Sequence, residues 1–162
     1  GALTFYGDPQ ASLAAYRRAH ALDPENIDAI NFIGQLEHLF GNLKAADDAF
    51  RQVLDVGRTQ DDKEAIAAAY GNLGVIAMTR GDLDTAVDYY NQALALNKKL
   101  GRKEGMALSY AMLGHVAVAR GDLLEARQFL VQARGLFAEM GMQLKMAQYD
   151  QFLADLEPPA GP

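Results

Sequence analysis

The sequence predicts an all-α solenoid of antiparallel helix hairpins, about eight or nine helices in all. Three observations predict it. The first is self-similarity: Gly34, Gly74 and Gly114 fall 40 residues apart, and so do Gly41, Gly81 and Gly121. The same step carries Ile33 to Leu73, Leu113 and Leu153, Ala46 to Ala86 and Ala126, and Phe50 to Tyr90 and Leu130. The second is apolar periodicity. Ile30, Ile33, Leu36, Leu39 and Phe40 recur at three- and four-residue steps, which is one face of a helix. The third is punctuation: Gly41-Asn42, Gly81-Asp82 and Gly121-Asp122 each put a helix-ending glycine before a side chain suited to cap the next helix.

From the N-terminus, the first element reads as the second half of a hairpin. Gly7, Ser12, Tyr16 and Ala19 map onto Gly41, Ala46, Phe50 and Val53 with an offset of 34. Gly7-Asp8-Pro9 makes the turn, with Pro in the first helical position, where its missing N–H costs nothing. Residues 1–24 are then a cut first repeat, with upstream sequence expected before it. Residues 25–60, 61–101 and 102–141 form the second, third and fourth repeats. Gly34, Gly74 and Gly114 lie inside the first helix of each, where glycine costs about 1 kcal/mol against alanine. Close helix contact must offset that, with Ala46, Ala86 and Ala126 as facing small residues and Phe50 and Tyr90 as large knobs. Gly101 and Gly141 lie 20 residues after their turn glycine, whereas Gly57 lies 16 after Gly41. That difference predicts longer helices in the third and fourth repeats. Asp122 with Glu125 reads as a capping box, and Arg80 and Arg120 as cations suited to a helix C-terminus. Residues 142–157 read as a capping helix: Leu153 stays in phase, but Asp150 stands where Tyr70 and Tyr110 stood. Pro158 and Pro159 stop it, and 158–162 read as a linker.

Composition narrows the function. Half of the 162 residues are hydrophobic, which argues against disorder. No apolar run approaches the ~18 residues of a membrane span, so membrane insertion is not expected. The chain starts at Gly1 without the charged-then-apolar pattern of a signal peptide. It therefore reads as a piece of a longer protein, with a cytoplasmic location as the expectation. No cysteine is present, which excludes disulfides and zinc–thiolate sites. The net charge of −6 is scattered, and nucleic acid is a poor match for an acidic chain. The one basic cluster, Lys98, Lys99, Arg102 and Lys103 with Glu104, reads as a solvated loop between helices.

The pattern Tyr70-x-x-Leu73-Gly74-x-x-Ala77, then Gly81-Asp82, Ala86, Tyr90 and Ala93, resembles the tetratricopeptide repeat. The resemblance runs from Gly7 to about Leu156. Departures are the lack of Trp, Glu37 in place of the usual aromatic, and a closing Pro only at Pro24. The 40-residue step resembles the lengthened subclass of Leu-Gly-Asn-repeat scaffold proteins and, less closely, kinesin light chains. The resemblance implies a right-handed superhelix whose concave groove, lined by the first helix of each hairpin, holds a protein partner.

Carried over by register, the groove rows are Phe32, Asn72, Met112 and Phe152; then Gln35, Val75, His115 and Asp155; then His38, Met78 and Val118. Asn31 and Gln151 flank the first row. Asn and Gln can donate to and accept from a peptide backbone, and Met adapts to irregular apolar side chains. Asn72 is the foremost candidate, because packing does not need an amide there. The carboxylate clamp of chaperone cofactors grips a peptide C-terminus with Lys, Arg and Asn. Its cationic places here hold Ala68, Leu108 and Met112, so an acidic chaperone tail is not the expected ligand.

Chemistry is poorly provided for. Ser12 and Ser109 are the available serines, and Ser12 fills a small packing slot. His20, His38 and His115 lack metal-ligand spacing, and Asp61, Asp62 and Glu64 suit a helix N-terminus. No catalytic residue, cofactor or metal is expected. The expected function is a non-catalytic module that binds a peptide or helical segment of a partner. Two others compete: a sensory or regulatory domain of a larger protein that binds a small peptide or metabolite, and self-association through Leu3 and Phe5 of the cut first repeat.

Overall fold

The computed structural model describes residues 8–156. They form eight helices with no strand among them: α1 Pro9–Leu22, α2 Ile27–Leu39, α3 Leu43–Thr59, α4 Lys63–Thr79, α5 Leu83–Leu100, α6 Lys103–Arg120, α7 Leu123–Glu139 and α8 Gln143–Asp155. Each helix packs on the next in sequence, and the first helices also touch one another directly, α2 with α4 and α4 with α6. The chain is an all-α solenoid of helical hairpins. Leu3, Phe5 and the segment from Pro158 onward lie outside the described residues.

Turn chemistry explains the helix boundaries. Gly41, Gly81, Gly101, Gly121 and Gly141 all take positive φ, between 67° and 80°, a region closed to most side chains. The carboxylates of Asp62, Asp82 and Asp122 then accept from the backbone N–H three residues on, at 2.9, 3.2 and 3.1 Å. Asp8 accepts from the Gln10 N–H, two residues on, at 2.9 Å, with Pro9 opening α1. Two expectations need correcting. Asn42 makes no capping bond; its Nδ2 donates to the Glu37 carboxylate at 2.8 Å. Gly57 does not end α3. It lies two residues inside the end of that helix, and a Cβ there would stand 3.0 Å from Ile66 of α4. The left-handed turn falls at Asp61, φ 52°, so α3 is as long as α4 and α7 at 17 residues. Aspartate tolerates that region better than most non-glycine residues, which is why no glycine marks this turn.

The core explains the in-helix glycines. A Cβ on Gly34 would lie 2.6 Å from the Phe50 ring, one on Gly74 2.5 Å from the Tyr90 ring, and one on Gly114 2.7 Å from Leu130 Cγ. The large knobs, rather than the alanines, therefore fill the space above each glycine. Ala46, Ala86 and Ala126 are fully buried, and the Ala126 carbonyl would stand 3.4 Å from a Cβ on Gly114. Apolar burial of this density is the main stabilising term of the stack.

Candidate functional site

The first helices form one face of the solenoid, and a cleft of about 390 Å³ opens on it between α4 and α6, with α5 as its floor. Ala67, Ala68 and Gly71 keep the α4 wall low, so that Leu108 and Met112 of α6 stand across from it. The small residues at 67, 68 and 71 leave room for something else. Five of the register-derived residues meet here: Asn31 and Gln35 from α2, Asn72 and Val75 from α4, and Met112 from α6. Asn72 Nδ2 donates to Asn31 Oδ1 at 3.0 Å, joining two repeats through side-chain amides. That bond occupies one of Asn72's two N–H donors.

The remaining register-derived residues lie elsewhere. Phe32 stacks on Tyr16 of α1, with ring centroids 4.7 Å apart and planes at 15°. A His38 ring nitrogen lies 3.4 Å from the Thr79 hydroxyl, between α2 and α4. Met78 packs on the apolar cluster around Tyr90 and Leu113. His115 meets the edge of Phe152, centroids 5.0 Å apart, which ties α6 to the final helix. Phe152 also packs on the cluster around Phe137 and Tyr149. Gln151 donates to Asp155 one turn on, at 2.8 Å. Asn31, Gln35, Asn72, Val75 and Met112 thus line one cleft, whereas Phe32, His38, Met78, His115 and Phe152 make contacts between helices and Gln151 bonds Asp155 within its own helix.

Burial lowers the His115 pKa from its ordinary value. A histidine that resists protonation in the fold but accepts it when unfolded opposes folding as pH falls below about 6.5. Thermal stability is therefore expected to drop between pH 7.5 and 5.5, and to drop less in His115→Phe. Equal drops in the two melting curves would contradict this.

Sequence reasoning missed part of the cleft. Arg102, Glu104 and Gly105 border it, although the charge pattern places Arg102 and Glu104 in a solvated loop between helices and gives Gly105 no role. Arg102 Nη1 pairs with Glu64 at 3.5 Å, so the one cation lining the cleft already has a carboxylate. Two more members of the basic cluster are also engaged, Lys103 with Glu139 at 2.8 Å and Lys98 over the Tyr110 ring at 5.3 Å. Gly105 lies under Asn97, whose Oδ1 would stand 2.2 Å from a Cβ there. An isolated glycine early in a helix was the available signal. Tyr90, expected only as a packing knob, also lines the cleft floor.

No serine–histidine pair lines the cleft. The Ser109 hydroxyl donates to the Gly105 carbonyl at 2.8 Å, with no histidine beside it in the cleft. Among the described residues no group of three His, Asp or Glu could hold a metal ion. No helix among them is long and apolar enough to cross a membrane.

Comparison with known proteins agrees with the fold. Solved structures similar in fold include three of note. BtubC (BKLC) from P. vanneervenii is 19% identical over 91% of this chain, with a TM-score of 0.75. The chain spans 62% of that protein's length. MamA is 19% identical, with a TM-score of 0.62 over 93% of this chain and 89% of its own. The kinesin light chain with nearly identical TPR-like repeats from Podosopora anserina is 18% identical, with a TM-score of 0.64 over 88% of this chain and 78% of its own. No protein of curated function matches the sequence. The family model for the MalT-like TPR region matches residues 10–157. Repeats of this type are a general scaffold for protein interaction and are generally non-catalytic. The chain belongs to the family of MalT-like TPR regions.

Proposed function

We propose that the chain is a non-catalytic binding module that holds a peptide segment of a protein partner in the cleft between α4 and α6. One observation supports this above the others: amides from two repeats, Asn31 and Asn72, meet beside Met112 over a wall of small residues. Amides satisfy a peptide backbone in both directions, while the methionine and Val75 take apolar anchors. A neutral interior with its single bordering arginine already paired suits an uncharged segment better than an acidic tail.

The test is partner capture by Asn72→Arg with Met112→Glu, scored against the wild-type chain with helicity checked by circular dichroism. Capture should fall at least tenfold, since an unpaired charge would have to be desolvated on binding. Undiminished capture by a folded double variant would rule the cleft out. Self-association through the N-terminal residues makes the opposite prediction: light scattering would show growth with concentration, and the double variant would not affect it.

A further inference from the structure

The Tyr90 hydroxyl is not explained by packing. Tyr90 is 1% exposed, and its oxygen has no hydrogen-bond partner among the described residues. The same position in the neighbouring repeats holds Phe50 and Leu130, which are equally buried and carry no polar atom. A stack that accepts phenylalanine and leucine here gains nothing from an unsatisfied hydroxyl, which loses its water and receives nothing in return. The ring is also held in place, because it fills the space where Gly74 lacks a side chain. Its oxygen therefore has a fixed position, and the residue lines the cleft beside Asn72.

We propose that the Tyr90 hydroxyl is a hydrogen-bond donor for an uncharged amide side chain, glutamine or asparagine, carried by a peptide segment in the α4–α6 cleft. This rests on the binding reading above and names what that site selects. The cleft is lined mostly by neutral groups, and its amides come from Asn31, Gln35, Asn72 and Asn97. Its charged residues, Arg102 and Glu104, have opposite signs, and Arg102 is paired with Glu64. A carboxylate tip buried against Tyr90 would lose its hydration without gaining a counter-charge, and an aliphatic tip would leave the hydroxyl unpaired. An amide tip avoids both costs. It accepts from Tyr90 through its oxygen and donates through its nitrogen to the surrounding amide oxygens. Burial raises the Tyr90 pKa above its ordinary value, so the group stays a neutral donor. Met112 packs against the cluster that contains Tyr90, and this flexible side chain must rotate for the ligand to reach the oxygen. The cleft volume accommodates one long side chain with its flanking backbone.

The probes are N-acetyl-glutamine N-methylamide and its leucine and glutamate counterparts, titrated at millimolar concentration into the ¹⁵N-labelled chain. Saturable shifts at the amides of Gly71, Asn72 and Gly105 should occur with the glutamine probe. The leucine and glutamate probes should bind about tenfold more weakly or less. Tyr90→Phe removes only the oxygen and should weaken the glutamine probe about tenfold while melting no lower than the wild type. Unchanged glutamine binding in Tyr90→Phe would overturn the proposal. So would equal binding of the three probes, or the lack of any saturable shift. If the Asn72→Arg, Met112→Glu pair loses the partner while Tyr90→Phe keeps full glutamine binding, the cleft assignment stands and the hydroxyl assignment falls. Retained capture by that pair would remove both.

Discussion

Gly74→Ala is expected to destabilise the protein by about 2–4 kcal/mol, although alanine favours helices over glycine by about 1 kcal/mol. The added Cβ would lie 2.5 Å from Tyr90 Cε1, well inside contact distance. Tyr90 is 1% exposed and cannot retreat without opening the α4–α5 packing. Overpacking therefore outweighs propensity at this position. Gly135, inside α7, provides the control, because nothing lies within 4 Å of a Cβ built there. Gly135→Ala should stabilise by about 0.5–1 kcal/mol. Urea unfolding followed by circular dichroism would report both changes. A stabilised Gly74→Ala would show that the repeating glycine is not a contact point between helices.

Loss of the Glu37 carboxylate is the second large effect. Glu37 is 2% exposed, yet it occupies a position where the family carries an aromatic. Its two oxygens are divided between Arg17 of α1 and Asn42 Nδ2 at the α2–α3 turn. The contact joins the shortened first element to the second repeat. Glu37→Ala is expected to cost about 2–3 kcal/mol, from a cavity and two lost charge-assisted bonds. Arg17→Ala should cost at least as much, because it leaves a buried carboxylate with only an amide for a partner. Glu37→Leu should recover most of the loss, since an apolar residue of similar size needs neither bond. A double-mutant cycle on Arg17 and Glu37 measures the coupling. Near-zero coupling would mean that the largely exposed Arg17 contributes little.

What could be read from the sequence was whatever repeats. The glycines at 41, 81 and 121 and the capping acids at 82 and 122 are local signals, because backbone φ and an orphan N–H are decided within a few residues. Gly57 misled because a glycine that permits close packing looks the same in sequence as one that ends a helix. Only Ile66, on the next helix, distinguishes them. The candidate site was half legible. Register carried Asn31, Gln35, Asn72, Val75 and Met112 to one cleft. It could not show that Phe32, His38, Met78, His115 and Phe152 would find partners on other helices, nor that Gln151 would turn to Asp155 of its own helix. Glu37 was visible as a departure, but its meaning depended on Arg17, twenty positions away.

The central claim is that partners dock on the face formed by the first helices. The chain has no cysteine, so single cysteines can be placed and labelled one at a time. Asn72→Cys and Met112→Cys would put a bulky maleimide label in the cleft, whereas Gln92→Cys and Gln128→Cys would put it on exposed positions of the second helices α5 and α7. Partner capture before and after labelling is the measurement. Labels at 72 and 112 should reduce capture at least tenfold, and labels at 92 and 128 should leave it unchanged. Capture that survives labelling in the cleft but fails on the second helices would contradict the account.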